Sequence, residues 1–172
     1  TYDFSGIWDP VSAHNAPLYS PNETDTLRNV DATFSYYTRT LSVPPSKINL
    51  GIPFYGHTFA NCTALYGTHA GADTAYFTSE GSSFNEITKL KSKFSRIWDS
   101  RAKVPYLVNQ SWKVIVSYDD EESVGYKAQY VVDKKAGGVI IWEITGDFLE
   151  DGTTPLLDVI ASTRKQEERD LV

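Results

Sequence analysis

The stretch from Ser117 to Glu143 leaves the least freedom of fold. Ser117-Tyr118-Asp119-Asp120-Glu121-Glu122-Ser123 reads as a strand end followed by a capped helix start. Either Asp119 or Asp120 suits the cap, and acidic residues in the first turn complement the helix dipole. Val124, Lys127, Ala128, Val131 and Val132 recur at helical spacing. Lys134-Lys135 fall in the last turn, and Gly137-Gly138 predicts the stop. Val139-Ile140-Ile141-Trp142 is a continuous apolar run, the mark of a buried strand in a parallel sheet. Strand, helix and strand make one βαβ step and predict an α/β fold. The step also sets a tryptophan, and then Glu143, at a strand's C-terminal end.

The N-terminal part repeats the rhythm. Residues 1–5 predict a short strand. Residues 6–28 form a long irregular loop with Trp8, Pro10, His14, Asn15, Pro17 and Pro21, and loops of that length inside a domain are usually functional. Val30, Phe34, Tyr37 and Leu41 make one helical stripe, which Asn29 or Asp31 caps and Val43-Pro44-Pro45 ends. Ile48 to Gly56 predicts a buried strand, with Pro53 at its end because proline cannot donate to a ladder.

Residues 58–116 break the pattern. Gly, Ser, Thr and Ala dominate 60–83, a short helix fits Phe84 to Lys91, and strand-like runs cover 94–98, 104–108 and 112–118. Asn109-Gln110-Ser111 suits a hairpin turn between the last two. The chain thus divides into 1–57, an α+β insertion at 58–116, and 117–172. A final amphipathic helix fits Leu156 to Arg164, and the charged tail from Lys165 is expected to fray.

Composition narrows the function classes. The net charge of −6 comes without any basic run, so nucleic acid is not an expected partner. No apolar run approaches the ~20 residues of a membrane span. Cys62 is the single cysteine, so no internal disulfide can form. His14, His57 and His69 lie far apart, and no phosphate-binding or dinucleotide motif occurs, so no metal or cofactor is expected. Asn-x-Ser/Thr triplets at Asn22, Asn61 and Asn109 point to a secreted, glycosylated protein. Methionine is absent and Thr1 falls at a strand end, so the expectation is a piece of a longer chain. Aromatic content of 13% serves either core packing or a cleft in which flat rings stack on sugars.

Several ordered motifs decide between these. Tyr2-Asp3, Trp8-Asp9, His14-Asn15-Ala16-Pro17-Leu18-Tyr19 and Val43-Pro44-Pro45-Ser46-Lys47-Ile48 lead to Phe54-Tyr55-Gly56. Val104-Pro105-Tyr106, Ser117-Tyr118-Asp119-Asp120 and Gly137-Gly138 to Trp142 complete the series. In this order and spacing the chain resembles the C-terminal part of chitinases of glycoside hydrolase family 18. The resemblance implies the last three strands of a TIM (β/α)8 barrel: strands six and seven within 1–57, and strand eight with the final helix within 117–172. Three barrel strands expose two unpaired edges, so the missing N-terminal barrel portion is an expected partner.

The resemblance also implies roles. Tyr2 would hydrogen-bond the acetamide of an N-acetylglucosamine unit while that acetamide attacks the anomeric carbon. This substrate-assisted, retaining route departs from the two-carboxylate scheme. Asp3 would contact sugar hydroxyls, Trp142 would floor the reacting subsite, and Trp8, Tyr55, His57 and Glu143 would line the cleft for chitin or its oligosaccharides. Tyr2 and Trp142 also fit ordinary strand-end packing, and Glu143 fits a plain strand-end charge. The family usually carries arginine where His57 stands. The family's general acid is the glutamate of an Asp-x-x-Asp-x-Asp-x-Glu run, and no such run occurs in these 172 residues. Two functions follow: part of a chitinase whose acid lies upstream, or part of a chitinase-like lectin that has lost it.

Overall fold

The computed structural model describes residues 1–77 and 81–170. β1 (Asn49–Pro53) and β7 (Gly138–Trp142) pair in parallel, with Leu50 opposite Val139 and Pro53 opposite Trp142. α3 (Glu121–Asp133) precedes β7 and packs against the parallel pair β1 and β7. Pro53 stands at the end of β1, where its missing N–H costs no ladder bond.

The second sheet is antiparallel. It runs β3 (Gly81–Ser83), β2 (Tyr55–Ala60), β6 (Val114–Ser117), β5 (Val104–Asn109), β4 (Ser95–Asp99). This corrects two expectations. The run predicted as one strand from Ile48 to Gly56 divides at Phe54, and its second half joins the other sheet. The strand before α3 is β6, which pairs with β2 and β5 rather than with β7. The parallel partner of β7 is β1, about ninety residues earlier in the chain. Alternation of elements reveals a strand, not its sheet, and the interruption by β2–β6 hides the true pair. β3 lies in a Gly/Ser-rich stretch without strand signals.

Local chemistry explains the helices. α1 (Val30–Ser35) is capped by Asn29, whose Oδ1 accepts from Ala32 N at 2.8 Å. Asp31 instead accepts from Tyr130 Oη at 2.7 Å. Past Ser35 the chain widens into a π turn over Tyr36–Thr40. α2 (Phe84–Leu90) carries a capping box of Ser83 and Glu86. α3 is capped by Asp120, which accepts from Glu122 N and Ser123 N, each at 3.2 Å. It ends earlier than the glycines suggest. Lys135 takes the left-handed position at φ 53°, with Ala136 N bonded to Val131 O and Lys135 N to Val132 O. That is a Schellman closure, and Gly137 is left to lead into β7, which starts at Gly138.

α4 (Pro155–Asp170) continues past Arg164, so the tail expected to fray is helical through Asp170. Lys165, Gln166, Glu167, Glu168 and Arg169 are all good helix formers. Residues 171 and 172 lie outside the described residues. The strand expected over 1–5 is also absent. Thr1 Oγ1 donates to Gly51 O at 2.7 Å, but Asp3 turns the backbone to φ 58° before a ladder can form.

Three clusters form the core. The largest unites Ile52, Phe54, Phe84, Ile87, Val116, Tyr118, Val124 and Leu156, so both sheets, α2, α3 and α4 share it. A second joins Leu18, Val30, Phe34, Leu50 and Tyr130. A third packs Phe59, Cys62, Val108 and Ile115. β7 is not covered on both faces as a parallel strand would be: Ile140 and Trp142 are 53% and 61% exposed.

One buried ion pair fixes α3. Asp119 Oδ1 accepts from Lys127 Nζ at 2.5 Å and from Ser123 Oγ at 2.7 Å, and both charged side chains are almost wholly buried. Burial pushes the Lys127 ammonium below its ordinary pKa, while Asp119 pulls it back. Removing one partner strands a charge in the core. Asp119→Ala is expected to cost about 3–5 kcal/mol in chemical denaturation of the full-length protein. A loss below about 1 kcal/mol would contradict this account of the pair.

Candidate functional site

The parallel pair carries two residues to one level. β1 and β7 end together, and Phe54 N donates to Trp142 O at 2.8 Å just beyond the last ladder pair. Phe54 is fully buried and roots this corner. Tyr55 leaves it on one side and Glu143 on the other. The Trp142–Glu143 peptide is cis. Gly146 lets the following turn fold back, because a Cβ there would meet Phe54 O at 2.5 Å. Asp147 completes the turn by accepting from Leu156 N and Leu157 N at 3.0 and 2.8 Å, which holds the start of α4.

The N-terminal residues reach the same corner through Gly51. A Cβ at Gly51 would stand 2.6 Å from Thr1 N and 2.7 Å from the Tyr2 ring, so only glycine admits them. Tyr2 then meets Tyr55 edge-on, with ring centroids 5.9 Å apart. Asp3 N donates to Asn15 Oδ1 at 2.8 Å, which stabilises its left-handed turn. Asn15 is itself buried, and its N–H donates to Ser117 Oγ at 2.7 Å. Residues 12–18 of the long loop are therefore a packed wall, fastened also by Leu18 N to Ala102 O and Ser12 N to Gly67 O.

One carboxylate oxygen organises the centre. Asp3 Oδ1 accepts from Tyr55 Oη at 2.5 Å and faces His57 Nε2 at 2.8 Å. An ionised carboxylate oxygen only accepts, so the imidazole proton toward it sits on Nε2. Burial first, and then the Asp3 carboxylate, push the Tyr55 phenol above its ordinary pKa. It stays a neutral donor across the physiological range. Trp8 stands edge-on to His57 at 5.3 Å.

Tyr2, Asp3, Tyr55, His57, Trp142 and Glu143 all line one hollow of ≈ 510 Å³. Phe54, Ser83 and Gly146 complete its wall. Trp8, also an expected site residue, does not line this hollow and touches it through His57. Asn15 and Ser83 carried no assigned role in the sequence. Asn15 stood within the His14-Asn15-Ala16-Pro17 motif, but Ser83 had no signal, because its position depends on β3 pairing with β2. His14 is buried against Asp99, Nε2 to Oδ2 at 2.9 Å, and His69 Nε2 meets Asp9 O at 2.9 Å. Among the described residues no group of three or more His, Cys, Asp or Glu could hold a metal ion. No helix among them is long and apolar enough to cross a membrane. The hollow offers an exposed indole face beside acceptors and phenolic donors. That suits a neutral, hydroxylated ring, whose faces are apolar and whose rim is polar.

Comparison with known proteins agrees with the family of the resemblance. The model of glycosyl hydrolases family 18 matches residues 1–147. Chitinase A1 of Niallia circulans is 40% identical over 162 residues, covering 86% of this chain and 23% of that protein. A probable endochitinase of Caenorhabditis elegans is 34% identical, covering 94% of this chain and 28% of its own length. Among solved structures, the group IV chitinase of Ostrinia furnacalis superposes with a TM-score of 0.81 at 35% identity, covering 95% of this chain and 48% of that one. Human YKL-39, described as a pseudo-chitinase with retained chitooligosaccharide binding, superposes with a TM-score of 0.82 at 27% identity, covering 95% and 49%. The chain thus spans about a quarter of these curated relatives and about half of these solved chains.

The Tyr55 environment is checked by titration. Tyr55→Phe is expected to leave the phenolate absorbance gained up to about pH 10.5 unchanged, because Tyr55 contributes none of it in the folded protein. A loss of one tyrosine's signal in that range would show that Tyr55 is neither buried nor bound to Asp3 as described.

Proposed function

The chain belongs to glycosyl hydrolases family 18, and on that premise we propose that it is the C-terminal part of a secreted chitinase. Its substrate is β-1,4-linked N-acetylglucosamine polymer, cleaved with retention by the substrate's own acetamide. The observation that carries this reading is the hollow itself: Tyr2, Asp3, Tyr55, His57, Trp142 and Glu143 come from separate segments and face one space.

The roles follow from the chemistry available at each position. The Tyr2 hydroxyl binds the acetamide carbonyl and holds it near the anomeric carbon, so the attack is intramolecular and its entropy is spent on binding. Asp3 is fixed by Tyr55 and His57 on one oxygen and offers its remaining acceptor capacity to sugar hydroxyls. Trp142 is the stacking floor, and Glu143 and Trp8 extend the wall. The general acid belongs to the upstream part of the protein, which also covers the bare face of β7 and pairs with the open edges of β1 and β7. In this reading residues 1–57 and 117–172 are two segments of one TIM barrel, the last residues of strand six with strand seven and then strand eight, and 58–116 is inserted between them.

A lectin is the second reading, favoured by the close match to YKL-39. The two differ at one upstream position. Glutamate at the end of the family's acidic run gives hydrolysis, and a residue without an acidic proton there gives binding alone.

Full-length protein is expected to hydrolyse a chromogenic N-acetylglucosamine dimer, whereas residues 1–172 alone are expected to give no turnover. Turnover by the isolated chain would refute the upstream acid. No turnover by the full-length protein, with oligosaccharide binding intact, selects the lectin. Trp142→Ala in the full-length protein is expected to weaken chitooligosaccharide binding by roughly tenfold or more, the equivalent of about 1.4 kcal/mol of stacking. Unchanged affinity by calorimetry removes Trp142 from the site.

A further inference from the structure

Three Asn-x-Ser/Thr triplets occur in the chain, and the structure treats them differently. Asn109 is half-buried at the end of β5. Its Nδ2 donates to Lys93 O at 2.7 Å and its Oδ1 accepts from Trp112 N at 2.8 Å, so both ends of the amide hold the β5–β6 turn. A substituent on that nitrogen competes with the Lys93 carbonyl for the same space. Asn22 is also half-buried. Its Oδ1 accepts from Thr24 N, Thr24 Oγ1 and Asp25 N at 2.8–2.9 Å, and its side chain interacts with the Tyr66 phenol. The hydroxyl of that triplet is therefore already committed.

Asn61 is different in each respect. It is exposed, one residue past the end of β2, in a left-handed turn at φ 54°. Among the described residues nothing bonds its side chain, and nothing bonds the hydroxyl of Thr63, which is exposed as well. The backbone on either side is fixed: Ala60 N bonds Gly71 O at 2.9 Å and Cys62 N bonds Lys113 O at 2.8 Å. The side chain thus stands out from a rigid support. The turn explains an asparagine at 61, since asparagine tolerates this backbone region. It does not explain a free, exposed threonine two residues on.

We infer that Asn61 is the residue of this chain that carries an N-linked glycan, and that Asn22 and Asn109 carry none. The donor is a polyprenyl-pyrophosphate-linked oligosaccharide. Asn61 Nδ2 attacks C1 of its reducing-end sugar, the C1–O bond breaks, the pyrophosphate leaves with the electron pair, and Nδ2 gives up one proton. The acceptor triplet is read on the unfolded chain, and the fold then accepts or rejects the product. Only at Asn61 does the fold accommodate the sugar without losing a hydrogen bond. The glycan stands about 20 Å along β2 from Tyr55, at ~3.3 Å per residue, so it leaves the hollow open. The inference is independent of what the hollow binds.

The test is full-length protein secreted from a eukaryotic host, deglycosylated enzymatically in heavy-oxygen water and mapped by peptide mass spectrometry. Label at Asn61, with Asn22 and Asn109 unlabelled, is the expected result. Asn61→Gln is expected to lose the mass of one glycan and to keep chitooligosaccharide affinity within twofold. Thr63→Ala, which leaves Asn61 in place, is expected to lose the same mass and serves if Asn61→Gln is not secreted. An unlabelled Asn61, or a glycan on Asn22 or Asn109, overturns the inference.

Discussion

The parallel register of β1 on β7 is the constraint from which the rest follows. It ends both strands at the same height, with Pro53 opposite Trp142, and the bond from Phe54 N to Trp142 O locks the corner. Everything chemically interesting leaves from that corner. Tyr55 starts β2 there, Glu143 starts the turn toward Gly146, and Gly51, two residues back from Pro53, is the gap through which Thr1 and Tyr2 approach. A shift of one residue in this pairing would turn Trp142 to the opposite face of the sheet.

Asp3 is the second organising element, and its position illustrates how a site is assembled from fragments. Asn15 fixes its backbone, and Tyr55 and His57 fix one oxygen of its carboxylate. None of these contacts is local in sequence. Each depends on a different piece of scaffold: the buried segment 12–18 for Asn15, and the first residues of β2 for Tyr55 and His57. His57 is nearly buried, so it acts on Asp3 from within the wall rather than from the cleft surface.

The antiparallel sheet is continuous with the corner where the parallel pair ends. β2 is shared between the two parts of the molecule, because it begins at the corner and ends beside β6 and the Asn61 turn. The large core cluster runs across both sheets, from Ile52 and Phe54 to Leu107 and Val116. Motion of the antiparallel sheet relative to β1 and β7 would therefore have to break a contiguous apolar core, not a loop. The buried Asp119–Lys127 pair adds a directional constraint, since it ties the second residue after β6 to the middle of α3.

The sequence alone determined the elements with strong local signatures. A cap at Asp119 or Asp120 announced the start of α3, a cap at Asn29 or Asp31 that of α1, and Pro53 a strand end, because caps and proline act through neighbours a few residues away; the structure chose Asp120 and Asn29. Ordered motifs such as Tyr2-Asp3, Phe54-Tyr55-Gly56 and Gly137-Gly138 to Trp142 disclosed the family and nominated the residues that line the hollow. What only the tertiary structure decided was partnership. That β1 rather than β6 is the mate of β7, that the 48–56 run breaks at Phe54, and that Asn15 and Ser83 join the site all rest on contacts between residues tens of positions apart. Such pairings are set by which apolar faces can be buried together, and an alternating pattern of strands and helices carries no record of that choice.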